Sequence, residues 1–257
     1  MKIDRIALVT NAANALKPVV AEMPVIEVES EQPRPFSPQF EKLESLRAGD
    51  RISFFGDSIT ASGGYLDRIE QALRRWPSKH VAVIRRGVSG AKSTDIRDGV
   101  KNLFGQNQET FAALLEKDRP SIVVIMIGIN DIWHGETGNG PKTYEKAMRD
   151  LVASSGKRRL VLCTPTVIGE RVDGTNVDDQ KLDAYSEIVR KIAKEHEATL
   201  CDTRRAFIRA ISERNKDNRE SGVLTSDGVH PLPAGDDLLA ETIAEAIGLA
   251  ASENFPV

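Results

Sequence analysis

From Arg51 onward the chain repeats one pattern, a short unbroken apolar run followed by a longer stretch with helical, amphipathic spacing. The runs are Ile52–Phe55, Val81–Ile84, Ile122–Ile127, Leu160–Cys163 and Thr199–Cys201. None alternates apolar with polar residues, as a strand with one wet face would, so each is expected to be buried on both faces. The stretches between and after them predict helices at Tyr65–Arg75, Asp95–Phe104, Glu109–Glu116, Tyr144–Ala153, Gln180–His196, Arg204–Arg214 and Ala234–Ala250. Strand–helix alternation of this kind demands right-handed crossovers, which places the chain in the α/β class with a parallel sheet covered on both sides.

Residues 1–48 do not share the pattern. Pro18, Pro24, Pro33, Pro35 and Pro38 interrupt them, and Glu22, Glu27, Glu29 and Glu31 make them acidic. Prolines at that density oppose helices and central strands. The segment reads as an extended arm with one short strand at Val25–Val28, laid over the domain or a neighbouring subunit, or as a disordered tail. Residues 49–257 then form one domain, a size that buries a substantial core. Oligomeric state is not written in the sequence.

A formal net charge of −3 implies no broad attraction to nucleic acid or to an anionic membrane. No apolar stretch approaches bilayer-spanning length. Ile6–Val9 is too short for the core of an export signal, although a signal removed before this numbering would leave the same picture. The two cysteines, Cys163 and Cys201, lie inside apolar runs and read as buried free thiols, which suggests a reducing, cytoplasmic setting.

Four segments break the alternation: Gly56-Asp57-Ser58, Gly87-Val88-Ser89-Gly90, Gly128-Ile129-Asn130-Asp131 and Asp227-Gly228-Val229-His230. Three follow strands directly, so they are expected along the carboxyl rim of the sheet, where open parallel sheets bind ligands. A turn at Gly56-Asp57-Ser58 would lift the Ser58 hydroxyl clear of the sheet. Serine is a weak nucleophile until a base takes its proton. Of the four histidines, His80 and His196 lie in charged, solvated surroundings, and His134 has no acid partner nearby in sequence. His230 has Asp227 three residues before it, a spacing that lets a carboxylate hold one ring nitrogen while the other faces Ser58. The plainer role for Asp227 is a cap on the last helix. Oxyanion donors would be the N–H groups of Ser58 and Gly90 and the amide of Asn130. Individually, Gly90 and Asn130 also fit as ordinary turn and loop residues.

These four blocks, in this order, resemble the signature blocks of the SGNH (GDSL-type) hydrolase family over about residues 48–250. The resemblance implies a flavodoxin-like, three-layer α/β/α domain with a central five-stranded parallel sheet. It assigns Ser58 as nucleophile, His230 as base, Asp227 as orienting acid, and Ser58, Gly90 and Asn130 as the oxyanion hole, with no cofactor and no metal. The expected reaction is hydrolysis of a small carboxylic ester, a short acyl chain on a sugar or simple alcohol. Lysophospholipid or thioester substrates and a catalytically silent carbohydrate binder are the alternatives. Trp133 and His134, on the segment after Asn130, are candidates for lining the substrate pocket. The Gly-x-Ser-x-Gly elbow of α/β-hydrolases is ruled out by Thr60 in its last position. A phosphoesterase that gathers Asp57, Asp131, Asp227 and His230 around a cation would leave Ser58, Gly90 and Asn130 without a joint role.

Overall fold

Ile52, Phe54 and Phe55 are shielded on both faces of strand β1 (Arg51–Gly56), and the same holds for all five residues of β3 (Ile122–Met126). Unbroken apolar runs produce this burial because a central parallel strand has no wet side. With β2 (Ala82–Gly87), β4 (Arg159–Cys163) and β5 (Thr199–Cys201) they form a five-stranded sheet in the order β2-β1-β3-β4-β5. Every neighbouring pair is parallel. The computed structural model describes residues 46–75, 80–99, 109–133 and 138–249, all within one unit that runs from Glu41 to Val257. The expected strand Val25–Val28 lies outside the described residues.

Nine helices are described: α1 (Ser58–Ser62), α2 (Gly64–Leu73), α3 (Ser93–Asp98), α4 (Phe111–Asp118), α5 (Ile129–Trp133), α6 (Pro141–Ser155), α7 (Asp179–Glu195), α8 (Thr203–Arg214) and α9 (Pro233–Ala246). Helices α2, α8 and α9 pack together as one layer, and α3, α4, α6 and α7 as the other. The chain leaves β1 toward β2 and then crosses back to β3, so the strand order reverses at β1. The crevice outside the carboxyl ends of strands at such a reversal is the general ligand site of open α/β sheets.

Differences from the sequence expectation are local. β2 was expected to stop at Ile84 but continues through Arg85 and Arg86. The Arg85 guanidinium donates to Asp67 and Glu70, and Arg86 grips the buried carboxylate of Asp118, which also accepts from Ser53. Helix α3 ends at Asp98 with Gly99, at φ +70°, as its C-cap, and the rest of the expected helix, to Phe104, lies outside the described residues. Helix α6 starts at Pro141, whose fixed φ and missing N–H suit a first turn. Leu46, expected in the arm, belongs to the core. Cys163 and Cys201 are free, buried and opposite each other in register. Among the described residues no helix is long and apolar enough to cross a membrane.

Candidate active site

Gly56 is in register with both Gly87 of β2 and Met126 of β3, so the three segments that follow leave the sheet side by side. The first is not a bare turn. The Asp57 carboxylate accepts the Ile59 N–H at 3.0 Å and caps α1, which makes Ser58 the opening residue of a short helix. That helix lies directly on the end of β2: a Cβ at Gly87 would run into the backbone of Thr60 and Ala61. Burial pushes the Asp57 carboxyl up to about 7; the Ile59 N–H opposes this rise and the nearby Asp131 adds to it.

The second segment makes a tight turn over 88–91, with Ala91 N–H donating to Val88 O at 3.0 Å and Gly90 at φ +76°. A turn with positive φ at its third residue favours glycine. Asn130, buried on α5 after β3, donates one amide hydrogen to Ala91 O at 3.1 Å and has a second to give. Its neighbour Asp131 accepts from the Ser93 hydroxyl at 2.6 Å, the Ser93 N–H and the Asn139 amide at 2.7 Å. The two residues thereby tie α5 to the turn and to the start of α3. Burial raises the Asp131 carboxyl above its ordinary range, although Ser93 and Asn139 work against it.

The last segment is a loop closed by an antiparallel bridge between Thr225 and Pro231. Asp227 does not cap α9, whose N-cap is Leu232. One of its oxygens accepts the N–H groups of Val229 (3.0 Å) and His230 (2.8 Å), an Asx-type turn that Gly228 completes at φ +91°. Its other oxygen lies 2.7 Å from His230 Nδ1, and His230 Nε2 lies 2.9 Å from Ser58 Oγ. Partial burial works against the charge on Asp227, but the bonds from the His230 ring and from both backbone amides outweigh it and hold the carboxyl below its usual range. An ionised carboxylate only accepts, so Nδ1 carries the ring proton and Nε2 accepts from the Ser58 hydroxyl.

The structure therefore joins Ser58, His230 and Asp227 in one hydrogen-bonded relay and links Gly90's turn to Asn130. Trp133, at the end of α5, is 45% exposed, with its ring centroid 6.1 Å from that of His230. His134 lies outside the described residues. Asp57, Asp131 and Asp227, the acids of the cation reading, each accept hydrogen bonds from protein donors. Two buried residues near the loop had drawn no attention in the sequence. Glu170 follows the apolar segment after β4. Asn215 stands in the charged run 213–220, where it is buried because it donates to the carbonyls of Glu170 and Arg219. Arg204 is also buried, paired with Asp179 and Asp183.

The family model of the GDSL-like lipase/acylhydrolase family matches residues 54–238. The chain is 28% identical over 230 residues to an acetylxylan esterase of Geobacillus stearothermophilus, covering 79% of this chain and 96% of the relative. The solved acetyl xylan esterase AlAXEase is 29% identical, with a TM-score of 0.67 over 77% of this chain and 99% of its own. Two solved variants of Axe2, an acetylxylan esterase from Geobacillus stearothermophilus, are 25% identical with TM-scores of 0.65, over 80% of this chain and 97% of theirs. Both are described as catalytic mutants, one with a serine and the other with an aspartate replaced by alanine. With its five-stranded parallel sheet and its ordered signature segments, the chain belongs to the GDSL-like lipase/acylhydrolase family and is a carboxylic ester hydrolase of the SGNH type.

Proposed function

We propose that this enzyme removes acetyl or similarly short acyl groups from sugar hydroxyls through an acyl-enzyme on Ser58. The observation that carries the reading is the unbroken relay from Ser58 Oγ to His230 (2.9 Å) to Asp227 (2.7 Å). Ser58 attacks the ester carbonyl as Nε2 takes its proton, and Asp227 holds the imidazolium that forms. The Ser58 and Gly90 N–H groups and the second amide hydrogen of Asn130 receive the oxyanion. His230 then protonates the departing sugar oxygen, and a water activated by the same nitrogen releases the acid and frees Ser58.

The short-acyl sugar substrate is supported by the acetylxylan esterases to which the chain is similar. It is also supported by Trp133, whose exposed ring beside His230 offers a flat apolar surface of the kind sugar rings stack on. The test combines acetate release from acetylated xylo-oligosaccharides with rates on p-nitrophenyl esters of increasing chain length. The expected result is turnover on the acetylated sugars and rates that fall with chain length, surviving EDTA. Rates that climb through long chains would defeat the substrate reading in favour of a lysophospholipase-like activity. Ser58→Ala should be inactive, and a fluorophosphonate should label Ser58. Absence of labelling together with a fully active Ser58→Ala would end the mechanism.

A further inference from the structure

We infer that Glu170 is a positioning residue for the reaction, a buried carboxylate that sets where the loop bearing Asp227 and His230 begins. The inference rests on the proposed role of that pair. Glu170 lies on the connection between β4 and α7 and is fully buried. Its carboxylate accepts three consecutive backbone amides, Val223 N at 2.8 Å, Leu224 N at 2.8 Å and Thr225 N at 2.5 Å, together with the Thr225 hydroxyl at 2.7 Å. A carboxylate survives burial only when donors replace the water it loses, and bonds to an ionised acceptor are about twice as strong as neutral ones.

The backbone around Glu170 holds the same loop at further points. Glu170 N donates to Glu220 O at 2.9 Å, and Gly169 N donates to Gly228 O at 2.8 Å. Asn215 donates to Glu170 O at 2.6 Å and to Arg219 O at 2.8 Å. A Cβ at Gly228 would lie 3.1 Å from Gly169 N, so the two glycines pass almost in contact. The dipeptide thus grips the chain both before the loop and inside it. Thr225, which donates both its N–H and its hydroxyl to Glu170, is also one end of the bridge that closes the loop, two residues before Asp227. Beyond that bridge the loop is held by its own internal bonds, including Ser226 N to His230 O at 2.8 Å, and by the bond from Gly169 N to Gly228 O. A shift at Thr225 therefore passes directly to the His230 ring, and a misplacement of about 1 Å can cost on the order of 10²-fold in rate.

The test is Glu170→Gln, which keeps the shape but turns an NH₂ toward an amide that needs an acceptor. On p-nitrophenyl acetate, well below the variant's Tm, kcat should fall by between about tenfold and 10²-fold. KM should stay within about twofold, and the rate of fluorophosphonate labelling of Ser58 should fall in step with kcat. Asp118→Asn serves as the comparison: it breaks the ion pair that the buried Asp118, just before β3, makes with Arg86, and should lower Tm with kcat unchanged. A Glu170→Gln enzyme that loses Tm but keeps wild-type kcat and labelling would overturn the inference, because Glu170 would then act on stability alone. If Glu170→Gln fails to fold, Thr225→Val removes one donor without changing shape. A drop of several-fold in kcat would support the inference, and wild-type kcat would overturn it. Ser58→Ala run alongside separates the two levels: an active Ser58→Ala refutes the relay itself, whereas an inactive one beside a fully active Glu170→Gln refutes only the role of Glu170.

Discussion

Replacing Asp57 with asparagine should stabilise the enzyme in neutral and alkaline solution and leave it unchanged in acid. The carboxyl is buried at the start of α1, and burial, reinforced by Asp131, raises it from 3.8 to about 7. Between those values the native state holds a proton that the unfolded chain has released, so native stability falls as pH rises. At 1.36 kcal/mol per unit the full effect is on the order of 4 kcal/mol, reached above pH ~7 and absent below pH ~4. Asparagine keeps an oxygen for the Ile59 N–H and caps about as well as aspartate, but it has no charge to bury. The gain in unfolding free energy should therefore be near zero at pH ~4, about 2 kcal/mol near pH ~5.5 and about 4 kcal/mol at pH ~8.5. Urea unfolding followed by circular dichroism at those three values measures it. A difference that does not vary with pH, or a variant less stable than wild type at pH ~8.5, would refute the argument that burial of a charge at position 57 opposes folding.

Three further outcomes are expected. Asn130→Ala should lose roughly 10²–10³ in kcat with unchanged circular dichroism; wild-type turnover would remove Asn130 from the site. Gly87→Ala forces a methyl into the backbone of α1, so it should cost about 1–3 kcal/mol and reduce activity by moving Ser58, and an unshifted Tm with full activity would show that α1 is free to retreat. Trp133→Ala should lose more kcat/KM on an acetylated xylo-oligosaccharide than on p-nitrophenyl acetate; equal losses on both would deny it contact with the sugar.

Strands were the most legible elements, because a strand buried on both faces leaves an uninterrupted apolar run such as Ile122–Met126. Helices α1 and α5 were not foreseen, since five residues hold too little of a 3.6-residue period to show a face. The last residues of β2 were missed because Arg85 and Arg86 look wrong for a strand until Asp67, Glu70 and Asp118 are seen to meet them. Asn215 was lost in a charged run for a similar reason: what buries it is a carbonyl 45 residues away.

The bond between Asp227 and His230 was readable because both residues belong to one Asx turn, where a spacing of three and a glycine between them are enough to bring carboxylate and imidazole together. Likewise, the sheet class and the four rim segments follow from the local order of apolar runs and their interruptions. The contact of Ser58 with His230 spans 172 positions, and that of Glu170 with the 223–225 amides spans 53 to 55. No periodicity or turn chemistry specifies such pairs. They exist because the strand order reverses at β1 and because the connection after β4 returns along the loop before α9, and both are consequences of how the whole chain packs.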